Sequence, residues 1–244
     1  MRLLEVKAGE EFSLREFSGN NIPPYAILSH TWGPDGEEVT FRDLVDQTGK
    51  DKVGYAKIEF CGRRATADDL KYFWVDTCCI DKSSSAELTE SINSMFHWYQ
   101  KAAKCYVYLS DVSVHDADQV DRRWRSALLQ SRWFSRGWTL QELIAPASVE
   151  FFSREGEQLG DKKSLEIEIS EITEINVLAL RGHPLSTFSI EDRMSWAAKR
   201  TTTREEDNAY CLLGIFDVYM PLIYGEGQRA LTRLNKKVHK SSKG

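Results

Sequence analysis

The sequence predicts an α/β fold, in which helices flank a parallel β-sheet and a mostly helical region is added at the C-terminal end. The first reason is that short apolar runs alternate with amphipathic segments through residues 1–152, a pattern typical of parallel strands joined by crossover helices. The second is that residues 153–238 contain helix-start motifs in place of such an alternation. We expect one domain built from these two parts, with residues 239–244 as a polar tail.

The order of elements starts with a strand at residues 25–29, where the apolar run YAILS precedes His30 and a turn at Gly33. The clearest helix covers residues 86–103, where apolar residues repeat at three- and four-residue steps. The other elements predicted up to residue 110 are a short helix at 41–45, a helix at 55–70, a strand at 72–76 and a strand at 105–110.

The later elements are less regular. Residues 124–144 have a helical composition interrupted by Gly137, and a strand is predicted at 149–152. A helix or helix pair is expected over 163–180. Two S/T-x-x-D/E motifs read as capping boxes. The helices they predict are one from Ser189 through Trp196, one from Thr203 through Leu213 with Gly214 as its stop, and a last helix after Gly225 and Gly227 with Ala230, Leu231, Leu234 and Val238 on one face.

Composition limits the classes of partner. Hydrophobic residues make up 41% and charged residues 28% of the 244 positions, as in ordinary globular proteins. Lys and Arg number 32 against 37 Asp and Glu, for a net charge of -5. Such a chain lacks the basic face that bulk binding to nucleic acid needs. It also lacks a run approaching the roughly 18 apolar residues of a membrane helix and the apolar segment of a signal peptide. We therefore expect neither nucleic acid nor a membrane as partner.

The cysteines indicate a reducing, cytoplasmic environment. Their number is odd and none are spaced as C-x-x-C, which argues against a disulfide framework and a zinc site. Each is expected to be a small buried apolar residue, and no metal is expected. The five cysteines are Cys61, Cys78, Cys79, Cys105 and Cys211.

Polar residues follow the predicted strands at one edge of the sheet. Ligands of open parallel sheets bind beyond the carboxyl ends of the strands, so this edge is a candidate site. An Asp at a strand end can instead cap the next turn or helix. A pair of His30 with Cys78 or Cys79 would provide a base and a nucleophile, although nothing in the sequence orients them. The strand-end residues are Ser29, His30, Asp76, Asp81, Ser110 and Asp111.

A second candidate lies around Glu142. Glu142 follows Trp138 by four residues, so both would share one face of a helix. Arg132 and Arg136 are close in sequence, and arginine side chains bind phosphate groups well. An indole can desolvate an acid or stack on a flat ligand. The competing interpretation is a surface glutamate on an amphipathic helix.

Five segments with distinctive motifs follow one another along the chain: YAILSHTWG (25–33), FWVDTCCIDKSSSAELTESINSMFHWYQKAAKCYVYLSDV (73–112), RGWTLQELIAP (136–146), TTREEDNAYCLLGIFDV (202–218) and MPLIYGEG (220–227). Together they resemble the fungal heterokaryon-incompatibility (HET) domain, from about residue 25 to 235. This resemblance implies a role in the regulated cell death that follows fusion of incompatible fungal cells. HET domains commonly form one part of longer receptor-like proteins, so a regulatory receptor or partner domain is implied.

The order of elements is also similar to that of Toll/interleukin-1 receptor (TIR) domains, which have a flavodoxin-like parallel sheet. YAILS resembles the first TIR strand, and SRGWTLQEL resembles the stretch that carries the catalytic glutamate of enzymatic TIR domains. Glu142 falls on that glutamate and Trp138 on the Trp four positions before it. Thr139 stands where Cys is usual and Gln141 where an acid is common. The region from about 153 on has no evident TIR counterpart and would be specific to HET domains.

The TIR resemblance implies an NAD glycohydrolase that releases nicotinamide. The carboxylate of Glu142 would stabilise or trap the oxocarbenium-like ribose. NAD or a related nucleotide would be a substrate, with no permanently bound cofactor. Self-association into a homo-oligomer would complete the site. Two other hypotheses stay open: a non-catalytic TIR-like oligomerisation module, and an unrelated hydrolase using Cys78 or Cys79. The expected ligand contacts are Ser29, His30, Trp32, Asp76, Asp81, Lys82, Arg132, Arg136, Trp138 and Arg204.

Overall fold

The computed structural model describes residues 1–7, 9, 11–19, 21–114 and 123–241. Within these residues the chain forms an α/β structure around one seven-stranded sheet, in the spatial order β2-β1-β4-β3-β5-β6-β7. The strands are β1 (Arg2–Val6), β2 (Phe12–Glu16), β3 (Tyr25–His30), β4 (Tyr72–Trp74), β5 (Lys104–Tyr108), β6 (Val149–Phe152) and β7 (Gln158–Asp161).

The middle of the sheet is parallel, which confirms the prediction from the alternating pattern. β3 pairs in parallel with β4 on one side and with β5 on the other, and β5 pairs in parallel with β6. Numbered by their order in the chain, these four strands lie side by side as 2-1-3-4. Every residue of β3 is buried, as expected where a parallel sheet is covered on both faces.

Both edges of the sheet are antiparallel additions that the sequence did not predict. At one edge, β1 and β2 form a hairpin, and β1 pairs antiparallel with β4. At the other, β7 pairs antiparallel with β6, inside the region predicted to be mostly helical. These strands have four or five residues, too few to give a firm period-two pattern.

The three helices predicted before residue 104 are all present, whereas the helices after β6 differ more from the prediction. The long helices Tyr55–Ala67 and Ser85–Lys101 connect the parallel strands, as predicted, and the helix or helix pair expected over 163–180 is a pair. The helices are α1 (Phe41–Val45), α2 (Tyr55–Ala67), α3 (Ser85–Lys101), α4 (Arg123–Leu129), α5 (Thr139–Ile144), α6 (Glu166–Thr173), α7 (Val177–Leu180), α8 (Ile190–Ser195), α9 (Asp207–Tyr210) and α10 (Arg229–Ser241), with short 3₁₀ turns at Arg132–Ser135 and Leu185–Thr187.

One predicted capping box is confirmed and the other is wrong. Ser189 caps α8, and Asp192 returns a hydrogen bond to the Ser189 backbone. The Thr203 motif opens no helix, because the carboxylate of Glu206 instead accepts hydrogen bonds from Gly225 N at 2.7 Å and Gly227 N at 3.0 Å. The helix there begins only at Asp207 and has four residues.

Two further details of the C-terminal region differ from the prediction. Gly214 is not a helix stop; it packs so closely on the side chain of Phe96 that a Cβ would clash. On α10, Ala230, Leu234 and Val238 are buried as predicted, but Leu231 is 38% exposed and lies off that face. The helix continues to Ser241, so it takes in the start of the predicted tail, while residues 242–244 lie outside the described residues.

The buried apolar side chains form a cluster that extends from Leu3 in β1 to Val238 in α10. All five cysteines are buried within it and free, as their predicted role as small apolar residues requires. In the described part of the chain, no helix has the length and apolar character needed to span a bilayer.

Candidate active site

The side chain of Glu142 lies in the interior, at the carboxyl end of β3. α5 follows a tight turn in which Gly137 N donates to Thr201 O at 2.9 Å, and a Cβ on Gly137 would collide with Thr202. This turn orients the short α5 so that Glu142 reaches Ser29, although the two residues are 113 positions apart.

A chain of hydrogen bonds fixes the Glu142 carboxyl group. Trp133 Nε1 donates to Ser29 Oγ at 2.8 Å, and Ser29 Oγ donates to Glu142 Oε2. Tyr99 also interacts with the carboxyl group, while its hydroxyl donates to Leu28 O at 3.0 Å. Because Ser29 and Trp133 are fully buried, the carboxyl group has few alternative positions.

Burial raises the pKa of Glu142 to about 8. The hydrogen bond from Ser29 lowers it, the charge of Asp76 raises it further, and Tyr99 and Arg200 lower it. With only 8% of the residue exposed, loss of water is the dominant influence. The carboxyl group is therefore largely protonated at neutral pH, and a strongly shifted acid of this kind is a common mark of a functional site.

A second group of side chains lies beside the first, where β3 and β4 end. His30 Nε2 lies 3.1 Å from Asp76 Oδ1, and Trp32 Nε1 donates to Asp76 Oδ2 at 2.9 Å. The ammonium group of Lys82 lies 3.8 Å from the centre of the Trp32 ring. Trp32 is 44% exposed, so this group presents an aromatic face and a positive charge to solvent.

Asp76 stays ionised in this position. Burial raises its pKa, but the hydrogen bond from His30, the charge of Lys82 and the hydrogen bond from Trp32 together lower the pKa to about 2. Its negative charge acts on Glu142, so the two groups form one electrostatic unit. His30 Nδ1 is buried and finds no hydrogen-bond partner in the described part of the chain.

Five of the residues predicted to contact the ligand interact with groups other than Glu142 and Asp76. Trp138 Nε1 donates to Asp207 Oδ2 at 3.3 Å instead of facing the Glu142 carboxyl group. Arg132 pairs with Asp111, Arg136 bonds Thr203, Arg204 stacks over Tyr224 and Asp81 caps the turn at Ser83. Of the predicted set, the structure thus brings together Ser29, His30, Trp32, Asp76, Lys82 and Glu142.

Sequence reasoning missed three residues that contact or act on this site. Tyr99 lies in the helix predicted at 86–103 and Trp133 in the segment 124–144, but nothing in the sequence assigned either residue to the site. Arg200 had no signal at all, because its role depends on how the region after β6 folds back onto α5. For Trp133 a signal exists in the sequence, because Trp124, Trp133 and Trp138 lie within 15 positions shortly before Glu142.

The cysteine hypothesis receives no support from the geometry. The thiol of Cys78 contacts Val75 O at 4.0 Å, and burial raises the pKa of this thiol. Cys79 is also buried, while His30 Nε2 is engaged with Asp76. The structure therefore does not pair a thiol with His30. In the described ranges, no group of three or more His, Cys, Asp or Glu is arranged to hold a metal ion.

Comparison with known proteins shows that the chain is similar to fungal incompatibility proteins. Ser29 and His30 in β3, Asp76 after β4 and Tyr99 in α3 all fall in one matched segment. Residues 25–123 match the family model "Heterokaryon incompatibility protein (HET)". Over 98% of its length the chain is 60% identical to the "Vegetative incompatibility protein HET-E-1" of Podospora anserina. The chain covers only 18% of that relative. No solved structure matches the chain, so the TIR-like similarity stays a prediction.

Proposed function

We propose that this chain is a cell-death domain of fungal vegetative incompatibility that cleaves NAD at the bond between nicotinamide and ribose, with Glu142 as the catalytic residue. The first part is supported by the HET match and the 60% identity to the Podospora protein. The observation that carries the second part is the buried Glu142 carboxyl group, bonded to Ser29 at the end of β3.

The position of this carboxyl group supports a TIR-like, flavodoxin-like interpretation. In doubly wound sheets with the strand order 2-1-3-4, ligands bind where the order reverses, between the first and third strands. Here those strands are β3 and β5. Ser29, which bonds Glu142, and His30, which bonds Asp76, are the last two residues of β3.

Cleavage of the nicotinamide–ribose bond requires an ionised Glu142, and binding of NAD would itself promote this ionisation. The nicotinamide ring of NAD is positively charged, and a nearby positive charge lowers the pKa of a carboxyl group. Binding of the ring beside Glu142 would therefore favour loss of its proton. The carboxylate then stabilises the developing positive charge on the ribose, while nicotinamide leaves as a neutral molecule. Trp32 would stack on a flat ring and Lys82 would face the diphosphate.

The test is to incubate the purified protein with NAD and to follow release of nicotinamide. Glu142→Gln keeps the shape of the side chain and its bond to Ser29 but removes the carboxylate, so we expect a loss on the order of 100-fold or more. Glu150→Gln is the matched control, because Glu150 is also buried but pairs with Lys104 at the start of β5. Equal turnover by wild type and Glu142→Gln would rule out this role.

One observation favours the alternative, a non-catalytic module that triggers cell death through self-association. Glu142 is buried and largely protonated in the free protein, a state that suits a packing role. This function predicts no nicotinamide release at any protein concentration. It also predicts that Glu142→Gln kills fungal cells as efficiently as wild type when expressed with its partner domains, whereas the catalytic function predicts survival.

A further inference from the structure

We propose that Arg200, which comes from the region after β6, is a positioning residue for Glu142: a buried cation that fixes the start of α5 and acts electrostatically on that carboxyl group. The inference rests on the proposed function, since it assigns the added C-terminal region a part in the same site. It goes beyond the resemblance to TIR domains, because that region has no evident counterpart in them.

The guanidinium of Arg200 holds the turn that leads into α5. One Nη atom donates to Arg136 O at 2.9 Å and to Thr139 Oγ1 at 2.8 Å, and Nε donates to Trp196 O at 3.3 Å. Thr139 is the first residue of α5, and its hydroxyl in turn donates to Trp133 O at 2.6 Å. Arg200 thereby connects α5 to the tryptophan that bonds Ser29.

The charge of Arg200 has no local partner. Arg200 is 8% exposed, and in the described ranges it forms no ion pair, while its second Nη atom is buried without a hydrogen-bond partner. Buried charges are normally paired. Burial lowers the pKa of Arg200 to about 10, whereas Cys211 and Glu142 raise it. Glu142 is the proposed catalytic residue, so the positive charge of Arg200 and the ionised form of Glu142 favour each other.

A second buried cation holds the other end of the same helix. Lys162, which follows β7, donates from Nζ to Leu143 O at 3.2 Å and to Pro146 O at 2.6 Å. A cation at these carbonyl groups suits the negative end of a helix. α5 has no side-chain cap at its start, so both of its ends are held by cations from the region after β6.

The two cations have different electrical effects on the site. Arg200 acts directly on Glu142 and lowers its pKa, whereas the charge of Lys162 acts on Cys105. The titratable groups around the Glu142 carboxyl are Asp76 after β4, Tyr99 from α3, Cys105 from β5 and Arg200 after α8. Among these groups Arg200 is the cation. Its removal leaves the hydrogen bonds from Ser29 and Tyr99 to favour ionisation of Glu142, against burial and the charge of Asp76.

The test is a direct titration of Glu142 by carbon NMR of glutamate-labelled protein, with the signal assigned by its loss in Glu142→Gln. Arg200→Gln keeps a hydrogen-bond donor but removes the charge, and we expect its Glu142 midpoint to rise by about one unit, a tenfold change in the ionisation constant. Arg200→Lys keeps the charge and should stay within about half a unit of wild type.

Two controls separate the electrostatic role from folding. Arg193→Met removes another partly buried arginine of the same region, which bonds Ile215 O at 3.1 Å and packs on Phe216, and should leave the midpoint unchanged. Lys162→Met loosens the far end of α5 and should shift the midpoint less than Arg200→Gln does. An unchanged midpoint in folded Arg200→Gln overturns the proposal. If that variant does not fold, a midpoint in Arg200→Lys that rises by a full unit overturns it.

The outcome is independent of whether the chain cleaves NAD. A midpoint that moves as expected in a protein that releases no nicotinamide supports the role of Arg200 and removes the proposed activity. In an active protein, the pH at which nicotinamide release reaches half its maximum should move upward with the midpoint. Activity that falls in Arg200→Gln with no shift along the pH axis would mean a purely structural role.

Discussion

At the scale of single residues, Glu142 makes a pH-dependent contribution to the stability of the protein. Its pKa is about 8 in the folded protein against 4.5 for an unperturbed glutamate. Between these two values the folded state therefore holds a proton that the unfolded chain has lost. The contribution of Glu142 to stability therefore falls as pH rises through this window, because at this site the native state binds more protons than the unfolded state.

We predict that Glu142→Gln, which cannot ionise, gains stability relative to wild type as pH rises. At pH 5 the two proteins should differ by less than about 1 kcal/mol, whereas at pH 9 the variant should be more stable by about 2–4 kcal/mol. Urea unfolding at both pH values measures this difference. Glu171→Gln, at an exposed position, is the control. A gap that stays constant from pH 5 to pH 9 would contradict the assigned ionisation.

Residue types at the site were only partly predictable. Ser29, His30 and Asp76 followed from their places at strand ends, because parallel strands end at a common edge. The pairing of Ser29 with Glu142 could not be derived, since it depends on the path of the chain over 113 positions. The indole of Trp138 turns to Asp207, which spacing along one helix cannot reveal.

At the scale of elements, the same motif has two outcomes. Ser189 and Thr203 both stand three residues before an acid, yet only Ser189 forms a capping box. At the second motif the acid is Glu206, and two glycine amides of the loop at 225–227 compete for its carboxylate. A local signal for a helix start is therefore overridden by a contact about twenty residues away.

We predict that Ser189→Ala destabilises the protein by about 1 kcal/mol, because the N-cap hydrogen bond to Asp192 is lost. Thr203→Ala should cost less than half as much, since Thr203 caps no helix. Thermal or urea unfolding of both variants at pH 7 gives the comparison. Equal losses at the two positions would show that the motif, rather than the observed cap, governs stability.

Strands and helices differed in how well the sequence predicted them. β6 was placed at its observed residues and α1 likewise, because each lies between clear breakers. The hairpin of β1 and β2 was missed, since its short strands carry charges among the apolar residues. β4 has only three residues, fewer than predicted, because the chain turns at Val75 to place Asp76 beside His30.

At the scale of the whole molecule, the sheet, α5 and the region after β6 meet at Glu142. The alternation of strands and helices predicted the parallel centre correctly. The way the C-terminal helices fold back, with Arg200 and Lys162 under α5, is a tertiary arrangement for which no local pattern exists. For the same reason, the sequence did not indicate that these two buried cations lie near the site.

We predict that the proposed activity depends on self-association. The free Glu142 carboxyl group is buried and protonated, so contact between copies would be needed to open or complete the site. Nicotinamide release per chain should rise at least tenfold between nanomolar and tens of micromolar protein, in parallel with the mass measured by light scattering. Full activity per chain in a nanomolar monomer would contradict this.

The exposure of Trp32 has an optical consequence. Of the seven tryptophans, all within the described residues, Trp74, Trp133 and Trp196 are buried, Trp98, Trp124 and Trp138 are partly covered, and Trp32 is 44% exposed. A quencher in solution such as acrylamide will therefore quench the fluorescence of Trp32 more strongly than that of the other tryptophans. Any molecule that stacks on Trp32 would shield it from the quencher. The protein thus carries an intrinsic fluorescent reporter beside Asp76 in its candidate site, with no label required.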